Sequence, residues 1–275
     1  MFFKTKDVMT VGNIGGGLAC ILVAMEGMGA RTLEEGGTYV FWSAFALVVA
    51  FWFDFFDGKV ARLLGQANRF GAEFDNVADL VAYSVAPSFL LYLAYRKAVV
   101  LPGLESMPGV QAGIAAAVAV IPALSGCLRF ARFNIRKLDL DGYWIGFPRP
   151  ASALMILAMV NSHLFLSSPI MPWLGIAMVL VLGLMGLSLK PWIGHHNRRF
   201  SWYLGTILHM VWASVMVSLV LGPILDVAGY VPLVPPKLPF DWIMIWLTGY
   251  LCAQWTDVPE ATRLAVRRLT AGWND

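Results

Sequence analysis

DFFDGKVARLLGQANRFGAEFDNVAD, residues 54–79, sets four aspartates, Asp54, Asp57, Asp75 and Asp79, between segments that carry almost no charge. If the apolar run before it continues as a helix through Asp57, then Asp54 and Asp57 are three apart on one face. Asp75 and Asp79, four apart at the start of the next apolar run, form a second pair. A hairpin of two helices joined by residues 58–71 would bring the pairs together. The result is a charge of about −4 in a partly desolvated place, which protonates or forces the helices apart unless it is neutralised. Ligands that are all oxygen suit hard divalent ions such as Mg²⁺ or Mn²⁺, and two of these would balance the cluster. Gly58 and Gly71 lack the Cβ that blocks close backbone approach, and Arg62, one turn after Asp57, can reach phosphate oxygens. The simpler reading makes the aspartates solvated interfacial residues or ion-pair partners of Lys59, Arg62 and Arg69. Four of them at this spacing favour a two-metal phosphoryl-transfer site.

The surroundings decide the fold class. Of the 275 residues, 59% are hydrophobic and 13% charged, against about 25% charged in a soluble domain. Apolar runs recur near 9–28, 38–56, 74–95, 109–131, 150–166, 171–189, 202–222 and 240–255, each close to the ~20 residues that cross a bilayer as a helix. The expectation is an all-α polytopic membrane bundle of about eight spans, forming one integral membrane domain over 1–275. No removable leader is expected. Sixteen of the 20 Lys and Arg, among them Lys4, Lys59, Arg129, Arg149, Lys190 and Arg263, fall on one side; Arg31, Arg96, Lys97 and Lys237 fall on the other. The positive-inside rule then places both termini and the aspartate stretch in the cytoplasm. Such a basic face suits anionic head groups or phosphorylated substrates, and no nucleic-acid partner is expected.

Written as D-x-x-D-G-x-x-A-R-(x8)-G-x-x-x-D-x-x-x-D, with Asp54, Asp57, Gly58, Ala61, Arg62, Gly71, Asp75 and Asp79, the stretch resembles the signature of the CDP-alcohol phosphotransferases. The resemblance implies transfer of a phosphate-linked alcohol from a CDP-alcohol to a hydroxyl, with release of CMP. It implies that Asp54, Asp57, Asp75 and Asp79 hold two divalent cations, that Asp79 is also the catalytic base, and that Gly58, Ala61, Arg62 and Gly71 bind nucleotide and phosphate. It further implies a six-helix core, here approximated as 38–222, working as a homodimer. Two more stretches, LSGCLRFARFN (124–134) and GFPRPASA (146–153), are similar to segments of the branch that makes phosphatidylserine. In them, Phe130 and Phe147 replace an expected Leu, and Ser152 stands at a variable position. That branch implies CDP-diacylglycerol and L-serine as substrates, with Arg129, Arg132, Asn134 and Arg149 as acceptor-binding candidates. Within the family the competing acceptors are glycerol phosphate, inositol phosphate and choline. Outside it, the rival is a cation transporter, which would need its ionisable residues near mid-span rather than at one membrane edge.

Other residues carry less. Arg129, Arg132 and Arg136 make one cationic helix face, which either binds an anion or anchors the span at the interface. Asn13 lies in a glycine-rich run with Gly12, Gly15, Gly16 and Gly17 that suits close helix packing. His195 and His196 have no partner at ligand spacing, and Cys20, Cys127 and Cys252 suggest neither a disulfide framework nor a zinc site. Several tryptophans near span ends, Trp192, Trp202 and Trp255 among them, read as interface anchors. The tail, 256–275, reads as a basic amphipathic segment on the inner leaflet.

Overall fold

The computed structural model describes residues 7–64, 69–135, 142–194, 205–214, 216, 238–256 and 258–271. Arg136, His195, His196 and Trp202 lie outside the described residues. Helix α1 (Asp7–Gly27) packs along α2 (Leu33–Leu64). A continuous helical rod follows, made of α3 (Arg69–Leu80), a π turn (Val81–Val85), α4 (Ala86–Leu93) and a second π turn (Ala94–Ala98). Then come α5 (Pro108–Ile135), α6 (Arg149–Asn161), α7 (His163–Ser167), α8 (Met171–Leu187), α9 (205–214), α10 (Leu238–Thr256) and α11 (Glu260–Thr270).

Four helices among the described residues are long and apolar enough to cross a membrane: Asp7–Gly27, Leu33–Asp57, Phe70–Ala98 and Pro108–Ile135. The architecture is that of an all-α integral membrane protein. Two details differ from the sequence expectation. The run 150–166 is not one helix: α6 stops at Asn161, and the Ser162 hydroxyl accepts from the Phe165 amide at 3.1 Å, capping the short α7. A serine oxygen there satisfies an amide that would otherwise be an orphan of the new helix start. The joint between the aspartate pairs is also shorter than residues 58–71, because α2 continues to Leu64 and α3 begins at Arg69.

The small residues of α1 let three helices meet closely. A Cβ on Gly16 would sit 2.8 Å from the Ala50 Cβ of α2, and one on Gly17 would sit 2.8 Å from the Ala82 Cα in the first π turn. Without hydrogen at those positions α1 would be pushed off both neighbours. The π turn has a local cause. Pro87 has no amide to offer the Tyr83 carbonyl and its ring crowds that position, so the preceding turn widens and Ala86 N–H bonds Val81 O. Pro122 lies inside α5, and the amide after it, that of Ala123, donates to Ser88 Oγ at 3.1 Å. At the far end of the rod, buried Gln111 donates to the carbonyls of Tyr95 (2.9 Å) and Val99 (2.8 Å) and accepts from Leu101 N–H (3.1 Å). Cys20, Cys127 and Cys252 are all free thiols.

Among the described residues the strands are a pair of three residues each, β1 (Tyr143–Ile145) and β2 (Pro191–Ile193), antiparallel with Trp144 opposite Trp192. They clip the start of α6 to the end of α8. The turn out of β1 rests on Gly146, at φ +76°, whose amide donates to Lys190 O at 2.9 Å. A Cβ there would approach Ser188 O to 3.0 Å and Arg129 Nη1 to 3.2 Å. Gly146→Ala is therefore expected to destabilise the fold by roughly 1–3 kcal/mol, read as a fall of several degrees in detergent-solubilised thermal unfolding. Gly15→Ala, which meets nothing within 4 Å, serves as the control and should shift stability by no more than about 0.5 kcal/mol.

Candidate active site

Asp54 on α2 and Asp75 and Asp79 on α3 bring one carboxylate oxygen each to within 4.8 Å of one another. Helical spacing supplies half of this: Asp75 and Asp79, four apart, project from one face of α3. The other half comes from the packing of α1 against both α2 and α3, which holds the two acidic helices side by side. All three aspartates are half-buried.

Asp54 and Asp79 are held by neighbours. The Tyr83 hydroxyl, in the first π turn, donates to Asp54 Oδ2 at 3.0 Å. Asn13 Nδ2, from α1, donates to Asp79 Oδ1 at 3.2 Å, and Arg149 Nη2, at the start of α6, lies 3.5 Å from Asp79 Oδ2. Asp57, the fourth member of the sequence motif, is buried and accepts a hydrogen bond from the Thr10 hydroxyl of α1. It stands outside the group of three whose oxygens converge. Gly58, Ala61 and Arg62 follow on the last turns of α2, and Gly71 is buried in the first turn of α3.

The donor set fits a divalent cation. It consists of carboxylate oxygens alone, which hard ions prefer. Arg149 pairs with Asp79, and three carboxylates gathered in a half-buried place favour a bound cation. The orienting bonds from Tyr83, Asn13 and Thr10 are the kind of outer contacts that fix metal ligands.

Of the acceptor-binding candidates, Arg149 is brought to the triad and the others are placed differently. Arg129 donates to the Phe147 carbonyl, and Arg132 Nη1 to the Leu187 carbonyl at 2.6 Å, so both brace the segments beside the strand pair. Asn134 is exposed near the end of α5. Arg129 and Arg149 nonetheless line one small cavity of about 20 Å³, with Tyr83, Ser125, Phe147 and Ser152. A space of that size takes one water or a group on the scale of a carboxylate.

Thr10 and Tyr83 are site residues that motif spacing did not single out. A signal was present for Tyr83, which continues the four-residue step from Asp75 through Asp79. Thr10 stands three before Asn13 on α1, but its partner on α2 is 47 residues away. An aromatic group, Phe51 and Phe55 of α2 with Trp212 of α9, covers the neighbouring turns of α2.

A helical membrane protein with carboxylates from two adjacent helices converging beside a guanidinium is the class that fold and site define. Residues 5–186 match CDP-alcohol phosphatidyltransferase, and the chain belongs to that family. A CDP-diacylglycerol–serine O-phosphatidyltransferase of Helicobacter pylori is 37% identical over 145 residues, 50% of this chain and 56% of that protein. Proteins of the same name from Methanocaldococcus jannaschii and Bacillus subtilis are 38% identical over 115 residues (41% of this chain, 48% of that protein) and 30% identical over 152 residues (55% and 72%). The matched region thus spans about half the length of the Helicobacter and Methanocaldococcus relatives.

If Tyr83 orients Asp54 for a cation, Tyr83→Phe should weaken Mn²⁺ binding about 10-fold, the low end of what loss of such a supporting bond costs. The readout is the Mn²⁺ concentration that half-maximally raises the unfolding temperature. Unchanged metal affinity would show that the Tyr83 bond does not set the ligand geometry.

Proposed function

We propose that the protein transfers the phosphatidyl group of CDP-diacylglycerol to L-serine, giving phosphatidylserine and CMP, and works as a homodimer in the membrane. The observation that carries this is the convergence of Asp54, Asp75 and Asp79 within 4.8 Å, in a chain that matches the family over residues 5–186. The choice of serine is supported by the relatives, which are CDP-diacylglycerol–serine O-phosphatidyltransferases by name.

In this reading Asp54, Asp57, Asp75 and Asp79 hold two divalent cations, Mg²⁺ or Mn²⁺, which when bound neutralise the diphosphate and the charge growing on the leaving CMP. Gly58, Ala61, Arg62 and Gly71 bind the nucleotide and its phosphates. Asp79 takes the proton of the serine hydroxyl as that oxygen attacks the lipid-side phosphorus. The bond from this phosphorus to the oxygen shared with CMP breaks, and its electron pair leaves with CMP. Arg149, already beside Asp79, is the foremost acceptor contact, and Arg129 lines the same cavity. Arg132 and Asn134 shape the approach from the end of α5.

In this reading the site and both termini lie on the cytoplasmic side, which the charge bias of the sequence supports. CDP-lipid then reaches the site from the leaflet, while serine and CMP exchange with the cytosol. Reporter fusions at residue 65 should read inside and those at residue 100 outside; the reverse pattern would overturn the orientation.

The direct test is CMP release by purified protein given CDP-diacylglycerol and a panel of acceptors. L-Serine should be the preferred acceptor and a chelator should abolish turnover. Asp54→Asn and Asp75→Asn should each lose about 10- to 100-fold or more of activity. Asp79→Asn should lose turnover more than CDP-lipid binding, because it removes a group needed chiefly in the transition state. Full activity in chelator would refute the metal-assisted mechanism, and equal loss of binding and turnover would make Asp79 chiefly a metal ligand.

A further inference from the structure

Two buried polar atoms beside Asp79 have no partner, and they are of opposite kinds. Asn13 is fully buried, and its amide nitrogen must face Asp79 Oδ1 at 3.2 Å because a carboxylate only accepts. Its carbonyl oxygen Oδ1 is left with no hydrogen-bond donor. Arg149 sets Nη2 toward Asp79 Oδ2 at 3.5 Å, and its second terminal nitrogen, Nη1, is buried with no acceptor. Asp79 is therefore flanked by an unused acceptor on the side of one oxygen and an unused donor on the side of the other. Buried polar atoms are nearly always paired, and leaving one unpaired costs roughly 1–3 kcal/mol. Two such atoms on residues that share one carboxylate point to a ligand that supplies the missing partners.

Resting on the serine reading above, we infer that Asn13 and Arg149 form a zwitterion filter around Asp79, in which Asn13 Oδ1 accepts from the ammonium of the acceptor and Arg149 Nη1 donates to its carboxylate. Serine carries its hydroxyl, ammonium and carboxylate on two adjacent carbons, so a hydroxyl set against Asp79 leaves both charged groups within reach of its two neighbours. Glycerol phosphate and inositol phosphate have no ammonium for Asn13. Choline has neither a carboxylate for Arg149 nor an N–H to give Asn13. The guanidinium keeps its charge at any working pH and presents paired N–H groups to a carboxylate. The cavity that Arg149 lines, with Arg129, Ser125 and Ser152, offers space on the scale of that carboxylate. A site built to hydrogen-bond a group rejects analogues that lack it, because its own buried atoms are then left unpaired.

The test uses the full-length protein with CDP-diacylglycerol and three acceptors: L-serine, ethanolamine, which lacks the carboxylate, and 3-hydroxypropionate, which lacks the ammonium. Wild-type protein should prefer serine over each analogue by about 10-fold or more in kcat/KM. N13A should collapse the preference over 3-hydroxypropionate and keep that over ethanolamine; R149Q should do the reverse. KM for CDP-diacylglycerol should change far less than KM for serine in both. Because Asn13 is buried and N13A can fail to fold, the unmodified protein provides a second measurement. As competitors of serine, ethanolamine and 3-hydroxypropionate should each show a Ki about 10-fold or more above the serine KM. A wild-type protein that uses serine while the variants slow all three acceptors by one factor, or whose competitors bind as well as serine, overturns the filter alone. A wild-type protein that ignores serine in favour of a phosphorylated acceptor overturns the functional reading and the filter together.

Discussion

Three carboxylates that repel one another are held where their oxygens come within 4.8 Å, and the fold is arranged around that constraint. At an effective dielectric near 20, each pair of charges at such a distance repels by about 3 kcal/mol, and burial strengthens the effect. Nothing in α2 or α3 alone would keep the acidic faces together. Among the opposing forces are the packing of α1 along both helices, the hydrogen bonds from Thr10 to Asp57, Asn13 to Asp79 and Tyr83 to Asp54, and the ion pair of Arg149 with Asp79. A site assembled under this strain has a standing affinity for positive charge, which is the property a metal-assisted phosphoryl transfer requires.

The helices that carry these groups are shaped by a few local breaks in regularity. Pro87 widens the turn before it, and that turn bears Tyr83. Gly16 and Gly17 bring α1 against Ala50 and Ala82, so that Thr10 and Asn13, on the same helix, reach α2 and α3. Gly146 turns the chain from β1 toward Pro148 and the first residue of α6, Arg149. The strand pair then ties that turn to the end of α8, while Arg129 and Arg132 clamp the Phe147 and Leu187 carbonyls from α5. Two of the arginines on the cationic face thus act as braces. Arg149, which meets Asp79, comes from the following helix.

This division of labour makes chemical sense. A guanidinium committed to a backbone carbonyl has fewer N–H groups free for a substrate, whereas Arg149 retains a buried nitrogen with no acceptor. Asn13 retains a buried oxygen with no donor, on the other side of the same carboxylate. Acceptor choice in this reading is set by these leftover valences beside Asp79, separately from the carboxylates that handle the diphosphate.

Much of the molecule is legible in its sequence. Low charge and long apolar runs dictate membrane helices because unpaired backbone is intolerable in hydrocarbon, and the spacing of Asp75 and Asp79 on a helix is fixed by its 3.6-residue period. The motif from Asp54 to Asp79 marks the family by itself. Other features were settled by how the helices pack. The break at Ser162 depends on which backbone amide finds a partner, and α2 runs on to Leu64. That Asp57 turns to Thr10 while Asp54 joins Asp75 and Asp79, and that Arg149 rather than Arg132 meets Asp79, cannot be read from spacing. Periodicity assigns a residue to a face of its own helix. Which neighbour that face meets depends on the small residues and turns that set how closely, and at what height, the helices come together.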